Sequence, residues 1–131
     1  MTITLLIVDD ETDIPELFRQ YFRAEVQQRG VVLRFATDGA EAMAELAVIP
    51  SGETIVILSD INMPGMDGFE LLSRIKQRWP QVPVVMISAY GDADKRQRVA
   101  ALGASGLLSK PLDFGALKTL LRELTPEGGF T

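Results

Sequence analysis

The sequence predicts an α/β fold: a doubly wound, five-stranded parallel sheet flanked by five helices. Five short apolar runs recur along the chain, unbroken rather than alternating, and amphipathic segments of helical period lie between them. An unbroken run suits a strand buried on both faces, which is what a parallel sheet covered by helices produces.

The first run is Leu5-Leu6-Ile7-Val8, and in the segment after it Leu17, Phe18, Tyr21 and Phe22 share one helical face. Thr12 or Asp13 is expected to cap that helix, with Pro15 tolerated in its first turn. Gly30 stands where the helix should end, just before the second run, Val31-Val32-Leu33. The third run is Ile55-Val56-Ile57-Leu58. After the Pro64-Gly65 turn, Asp67 can cap a helix that carries Phe69, Leu72, Ile75 and Trp79 on one side. The fourth run, Val82 to Ile87, is interrupted by Pro83, and Gly103 closes the helix that follows. Leu107-Leu108 is the fifth run, and Phe114, Leu117, Leu121 and Leu124 form the face of the last helix. Right-handed crossovers make this a doubly wound sandwich, and the expected strand order is the 2-1-3-4-5 of flavodoxin-like folds. The domain is expected over residues 1–125. The final stretch, 126–131, has lost its period and reads as a flexible tail or truncated linker.

A chain of 131 residues, 47% apolar and 24% charged, has the size and balance of one soluble globular domain. No apolar run approaches the roughly 20 residues of a membrane span, and the start lacks the basic leader of a signal peptide, so a cytoplasmic location is expected. Cysteine is absent, which removes disulfides, thiolate zinc sites and cysteine nucleophiles. The absence of histidine removes imidazole bases and phosphohistidine chemistry within the chain. A net charge of −5 argues against direct nucleic-acid binding and is compatible with divalent cations.

The polar residues at the strand ends carry the chemistry. Asp9 and Asp10 follow the first strand, Asp60 the third and Lys110 the fifth, while Ser88 ends the fourth. In an open parallel sheet these positions share the carboxyl edge, where ligands bind. Taken singly, the acidic pair is more often a solvated turn, Ser88 a turn residue and Lys110 a surface charge. Their joint placement at four strand ends shifts that balance. Carboxylates about 4 Å apart repel by roughly 4 kcal/mol per pair at an effective dielectric of about 20, so the cluster makes sense around a cation. With oxygen ligands alone, Mg2+ fits. A carboxylate can accept a phosphoryl group covalently, and transfer needs charge on the phosphoryl oxygens neutralised by cations and hydrogen bonds.

Four motifs in order, Ile7-Val8-Asp9-Asp10-Glu11, Ser59-Asp60-Ile61-Asn62-Met63-Pro64-Gly65-Met66-Asp67-Gly68, Ile87-Ser88-Ala89 and Ser109-Lys110-Pro111, resemble those of two-component receiver domains. The resemblance runs from about Leu5 to Leu124. It implies Asp60 as the phosphorylation site. It also implies Mg2+ held by Asp9, Asp10 and Asp60, with the backbone carbonyl of Asn62 as a further ligand. Ser88 and Lys110 would contact the phosphoryl group, and the Lys110–Pro111 bond would be cis. The donor would be a sensor histidine kinase or histidine phosphotransfer protein, and the reader a downstream protein or fused output domain. The chain would then be a signalling domain that assists only its own phosphorylation and dephosphorylation.

Some positions depart from the family pattern. Ser88 stands where Thr is common, which keeps the hydroxyl but frees its rotamer. Leu107 occupies the place of the switch aromatic, so the switch is expected in the Ser88-to-Asp92 loop, with little rearrangement at Leu107. Tyr90 falls where the family tunes phosphoryl lifetime, although an exposed loop aromatic is an equally good reading. Other classes fit less well. A haloacid-dehalogenase-type phosphatase resembles D-x-D, and this chain has Asn62 at the second acid. A flavin or nucleotide binder would need a Gly-rich or Ser/Thr-rich loop after the first strand, where Asp9-Asp10-Glu11 stands instead.

Overall fold

A computed structural model describes residues 2–50, 52–89, 93–126 and 130. The elements follow in the order β1 (Ile3–Val8), α1 (Ile14–Tyr21), α2 (Arg23–Gln28), β2 (Val31–Ala36), α3 (Gly39–Val48) and β3 (Thr54–Asp60). Then come α4 (Gly68–Arg78), β4 (Val84–Ser88), α5 (Ala93–Ala101), β5 (Gly106–Ser109) and α6 (Phe114–Leu124). The strands are parallel and ordered β2-β1-β3-β4-β5, as expected.

The unbroken apolar runs divide by strand parity, since successive side chains point to opposite faces. Leu6, Val8, Ile57, Val84 and Met86 join the core on one face with Leu71, Leu72 and Ile75 of α4 and Val99 of α5. Leu5, Ile7, Val56, Leu58, Val85 and Ile87 join the other with Phe18 of α1, Phe22, and Phe114, Leu117 and Leu121 of α6. Each fully buried side chain of this size contributes about 1.5–3 kcal/mol, so both helical layers are held by the same strands.

Among the described residues six helices form rather than five, because the first predicted helix divides at Phe22. Phe22 leaves helical geometry at φ −110°, ψ 19°. Its ring is buried, stacked 5.7 Å from Phe18 and edge-on to Phe114 at 6.2 Å. The break escapes the periodicity because Phe18 and Phe22 are four apart and keep the helical spacing across it. Asp13 occupies the cap position of α1 but makes no side-chain cap bond, so the expected cap fails there. Asp67 does cap α4, accepting from the Glu70 N–H at 2.9 Å. Gly30 and Gly103 adopt φ 71° and 97°, the left-handed conformation that ends a helix most easily at glycine.

At the C-terminal end, Phe130 is only 1% exposed and packs edge-on against Phe22 at 6.0 Å. Its carbonyl accepts from Arg122 at 3.3 Å. The expectation of a loose tail therefore does not hold for Phe130, whose ring joins the core beside α6. Residues 127–129 and 131 lie outside the described residues.

Candidate functional site

Strand register builds the site. Val8 pairs with Ser59, Asp60 with Ile87, and Ser88 with Ser109. The residue at or just beyond each of these ends, Asp9, Asp60, Ser88 and Lys110, thus lines one edge of the sheet. Backbone bonds fix the neighbours: Asp9 N–H donates to Ala36, Ile61 N–H to Ile87, and Lys110 N–H to Ser88, at 2.9–3.0 Å. The Lys110–Pro111 peptide is cis.

Asp60 is 5% exposed, and both its carboxylate oxygens have partners. Oδ1 accepts the Asn62 N–H at 3.2 Å, and Oδ2 accepts the Lys110 ammonium at 3.0 Å. The same ammonium lies 3.0 Å from Glu11 Oε1 and 3.5 Å from Asp9 Oδ2. Burial works against the Lys110 charge, but its bonds to Glu11 and Asp60 and the nearby charges of Asp60 and Asp9 outweigh it. Its pKa is therefore held above that of an ordinary lysine. For Asp9 burial prevails and raises the pKa above the ordinary carboxylate value. The Glu11 N–H bond and Lys110 pull the other way, and the charges of Asp60 and Glu11 add to the rise.

Gly68 lets α4 begin against the end of β3. A Cβ there would meet the Asp60 carbonyl oxygen and the Ile61 Cα at 2.5 Å, and its N–H donates to the Ile61 carbonyl at 2.7 Å. This close contact places the Asp60–Asn62 turn. Beside the acids, a cleft of about 190 Å³ is lined by Asp9, Glu11, Ile14, Ile87, Lys110 and Pro111, among others.

Asp9, Glu11 and Asp60 each offer a carboxylate oxygen, all within 4.8 Å of one another. An all-oxygen, triply acidic donor set of this span suits a hard divalent cation. Asp10, expected from the sequence to be a ligand, is exposed and stands outside this group. Glu11 enters instead because Asp9 Oδ1 accepts the Glu11 N–H at 3.0 Å, a tight turn that brings residue 11 round to the site. Asn62 is exposed, with its N–H on Asp60. Ser88 is fully buried, and its Oγ accepts from the Lys95 ammonium at 3.4 Å. The sequence pattern assigns Lys95 no role and Glu11 none beyond its motif. The spacing of Lys95, seven residues after Ser88 and in the first turn of the next helix, is the one signal that could have found it. Tyr90, Gly91 and Asp92 lie outside the described residues.

An acidic cluster joined to a lysine at the carboxyl edge of a 2-1-3-4-5 sheet is the arrangement expected of a receiver domain. Residues 5–122 match the family model of the response regulator receiver domain, and the chain belongs to that family. It is thereby a receiver domain of two-component systems. It is 35% identical over 117 residues to the sensor histidine kinase RcsC of Salmonella typhi, covering 89% of this chain and 12% of the kinase. It is 38% identical over 107 residues to the DNA-binding transcriptional regulator NtrC of Escherichia coli, covering 82% of this chain and 21% of the regulator. The chain thus spans a small part of the length of these relatives. Among solved structures, chemotaxis protein CheY4 of Vibrio cholerae superposes with a TM-score of 0.80 at 29% identity, covering 95% of this chain and 99% of that one. A chain of the Borrelia burgdorferi CheX-CheY-BeF3-Mg+2 complex gives a TM-score of 0.82 at 29% identity, covering 93% of this chain and 88% of that one. Among the described residues, no helix is long and apolar enough to cross a membrane.

Proposed function

We propose that Asp60 is the phosphoacceptor and that Asp9, Ser88 and Lys110 act around it. The single observation behind this is the buried Asp60 carboxylate, held from both sides by Asn62 N–H and Lys110 at the carboxyl edge of β3. In transfer from the phosphohistidine of a kinase or phosphotransfer protein, an Asp60 oxygen forms a P–O bond as the donor's P–N bond breaks. The imidazole leaves with the bonding pair and takes a proton from solvent. Lys110, already 3.0 Å from Asp60 Oδ2, is placed to pair with a phosphoryl oxygen on that atom. The Ser88 hydroxyl, on the adjacent strand, donates to another. The catalysis of the chain is confined to its own phosphorylation and dephosphorylation.

Mg2+ bound among the acids would neutralise charge on the phosphoryl oxygens. The proposed ligands are Asp9, Asp60 and the Asn62 carbonyl, with Asp10 as the family resemblance implies. Glu11 is a second candidate for that last place because its carboxylate lies in the cluster. Asp10→Asn and Glu11→Gln, titrated side by side with Mg2+, decide between them by which one weakens the rise in melting temperature.

The acceptor itself is tested with acetyl phosphate and Mg2+, read by intact mass. The wild-type chain should gain one phosphoryl group and Asp60→Asn none. Undiminished labelling of that variant would overturn the assignment. A downstream protein or an output domain attached to this one would read the result.

A further inference from the structure

Lys95 touches the site from α5, an element that supplies none of the acceptor, metal or phosphoryl-binding residues named so far. Ser88 is the last residue of β4, and its side chain is fully buried. Lys95 is in the first turn of α5, and its ammonium donates to Ser88 Oγ across 3.4 Å. Helical side chains lean back toward their N-terminus, so a long side chain on the first turn of α5 returns naturally to the strand end before it. The bond is long for a charged donor, which ordinarily sits about 2.7–2.9 Å from its acceptor. A lysine in a helix's first turn also opposes the helix dipole, which favours anions there. The contact ties the first turn of α5 to the end of β4, the strand that pairs with the Asp60 end of β3.

We propose that Lys95 is a positioning residue for the phosphoryl group and the link through which phosphorylation moves α5. The proposal rests on Asp60 as acceptor. A hydroxyl whose oxygen accepts from an ammonium points its own hydrogen in another direction, and the ammonium polarises that O–H as a donor. Lys95 thus turns Ser88 into a stronger donor toward a phosphoryl oxygen on Asp60, and the added negative charge draws Lys95 inward. The first turn of α5 follows. One turn on, Arg98 lies over the Phe69 ring at 3.8 Å, and Val99 is buried in the core beside Leu107, so displacement of this turn reaches the surface between α4 and α5.

The test uses 15N-labelled protein in saturating Mg2+, titrated with BeF3−, a stable stand-in for the phosphoryl group. The variants are Lys95→Met, Lys95→Arg, Ser88→Ala, the Ser88→Ala/Lys95→Met pair, and Asp60→Asn as control. Lys95→Met should weaken BeF3− binding about tenfold, the worth of one hydrogen bond to a charged group. At saturation it should keep the amide shifts at 60–62 while those of 93–101 shrink. Lys95→Arg should restore both. In the Ser88→Ala background, Lys95→Met should cost markedly less than in the wild type, because the two act as a unit. Wild-type affinity and full α5 shifts in Lys95→Met would overturn the Lys95 assignment alone. Binding of BeF3− that is absent in wild type, or unchanged in Asp60→Asn, would bring down the acceptor reading and this one with it.

Discussion

Lys110→Met removes the ammonium and keeps most of the side chain's length, leaving Asp9, Glu11 and Asp60 to face one another. Carboxylate oxygens at the 4.8 Å limit of this cluster repel by about 3.5 kcal/mol per pair at an effective dielectric of about 20. Glu11 is 53% exposed on its side chain, so its share is screened to roughly 0–1 kcal/mol. Asp9 and Asp60 are 5% and 6% exposed on theirs, and removing the partner of a buried charge costs about 3–5 kcal/mol. Lys110 itself is 25% exposed, and the water reaching it lowers the expected loss to about 2–3 kcal/mol. With a urea m-value near 2 kcal/mol/M, the unfolding midpoint in EDTA should fall by about 1–1.5 M. Saturating Mg2+ should close at least half of that gap, because a divalent cation replaces the lost positive charge and stabilises by mass action. A loss below about 0.5 kcal/mol, or one unchanged by Mg2+, would show that Lys110 acts through packing and refute the electrostatic reasoning.

Other substitutions test separate parts of the site and its frame. Burial raises the Asp9 pKa against the pull of the Glu11 N–H and Lys110. A folded pKa above the unfolded one favours folding below the ordinary value of 3.8 and loses that contribution as pH rises through the folded pKa. Asp9→Asn, which retains an oxygen for the Glu11 N–H, should therefore raise the urea midpoint at pH 7 in EDTA, with the gain vanishing by about pH 3; a lowered midpoint at pH 7 contradicts this. Gly68→Ala drives a methyl into backbone atoms of Asp60 and Ile61 that cannot step aside, so stability should fall by about 1–3 kcal/mol and acetyl-phosphate labelling should slow with it. Phe130→Ala empties a buried aromatic position and should cost about 2–4 kcal/mol in urea unfolding; a loss within about 0.5 kcal/mol would mean the ring is not docked in solution.

The frame of the site was legible because it depends on backbone alone. In parallel strands joined by right-handed crossovers, the residue after each run has to lie on the carboxyl edge, whichever of the doubly wound orders the strands take. Asp9, Asp60, Ser88 and Lys110 follow from that placement without knowledge of any rotamer. The residues that escaped depend on finer detail. Glu11 comes near Asp9 and Asp60 through a turn closed by its own N–H on Asp9 Oδ1, a local bond that no periodicity records. Lys95 reaches Ser88 through a long flexible side chain, and no periodicity records where such a chain ends. Phe130 escaped because its helical period had already ended, and a lone aromatic beyond Gly128-Gly129 docks by shape rather than by pattern.

The same distinction bears on how far phosphorylation can drive the switch. Leu107 is 9% exposed and packed in the core with Val99 and Met86, so it has neither a hydroxyl to expose nor a ring to swing inward. Only interactions that differ between the two states can bias them. Lys110 contributes little to that difference, because it already pairs with Asp60 at 3.0 Å before any phosphoryl group arrives. The new hydrogen bond is that of Ser88, since Lys95 already donates to Ser88 Oγ at 3.4 Å and acts by strengthening it. At about 1.5–3 kcal/mol for a bond to a charged group, it supplies that much before strain is subtracted. Reversing a 1:99 equilibrium to 99:1 needs about 5.5 kcal/mol. The expected response is thus a partial shift carried by the first turn of α5, with the Leu107 methyl groups nearly still in NMR spectra recorded with and without BeF3−. Large methyl shifts at Leu107 with unmoved α5 amides would place the switch in β5 instead.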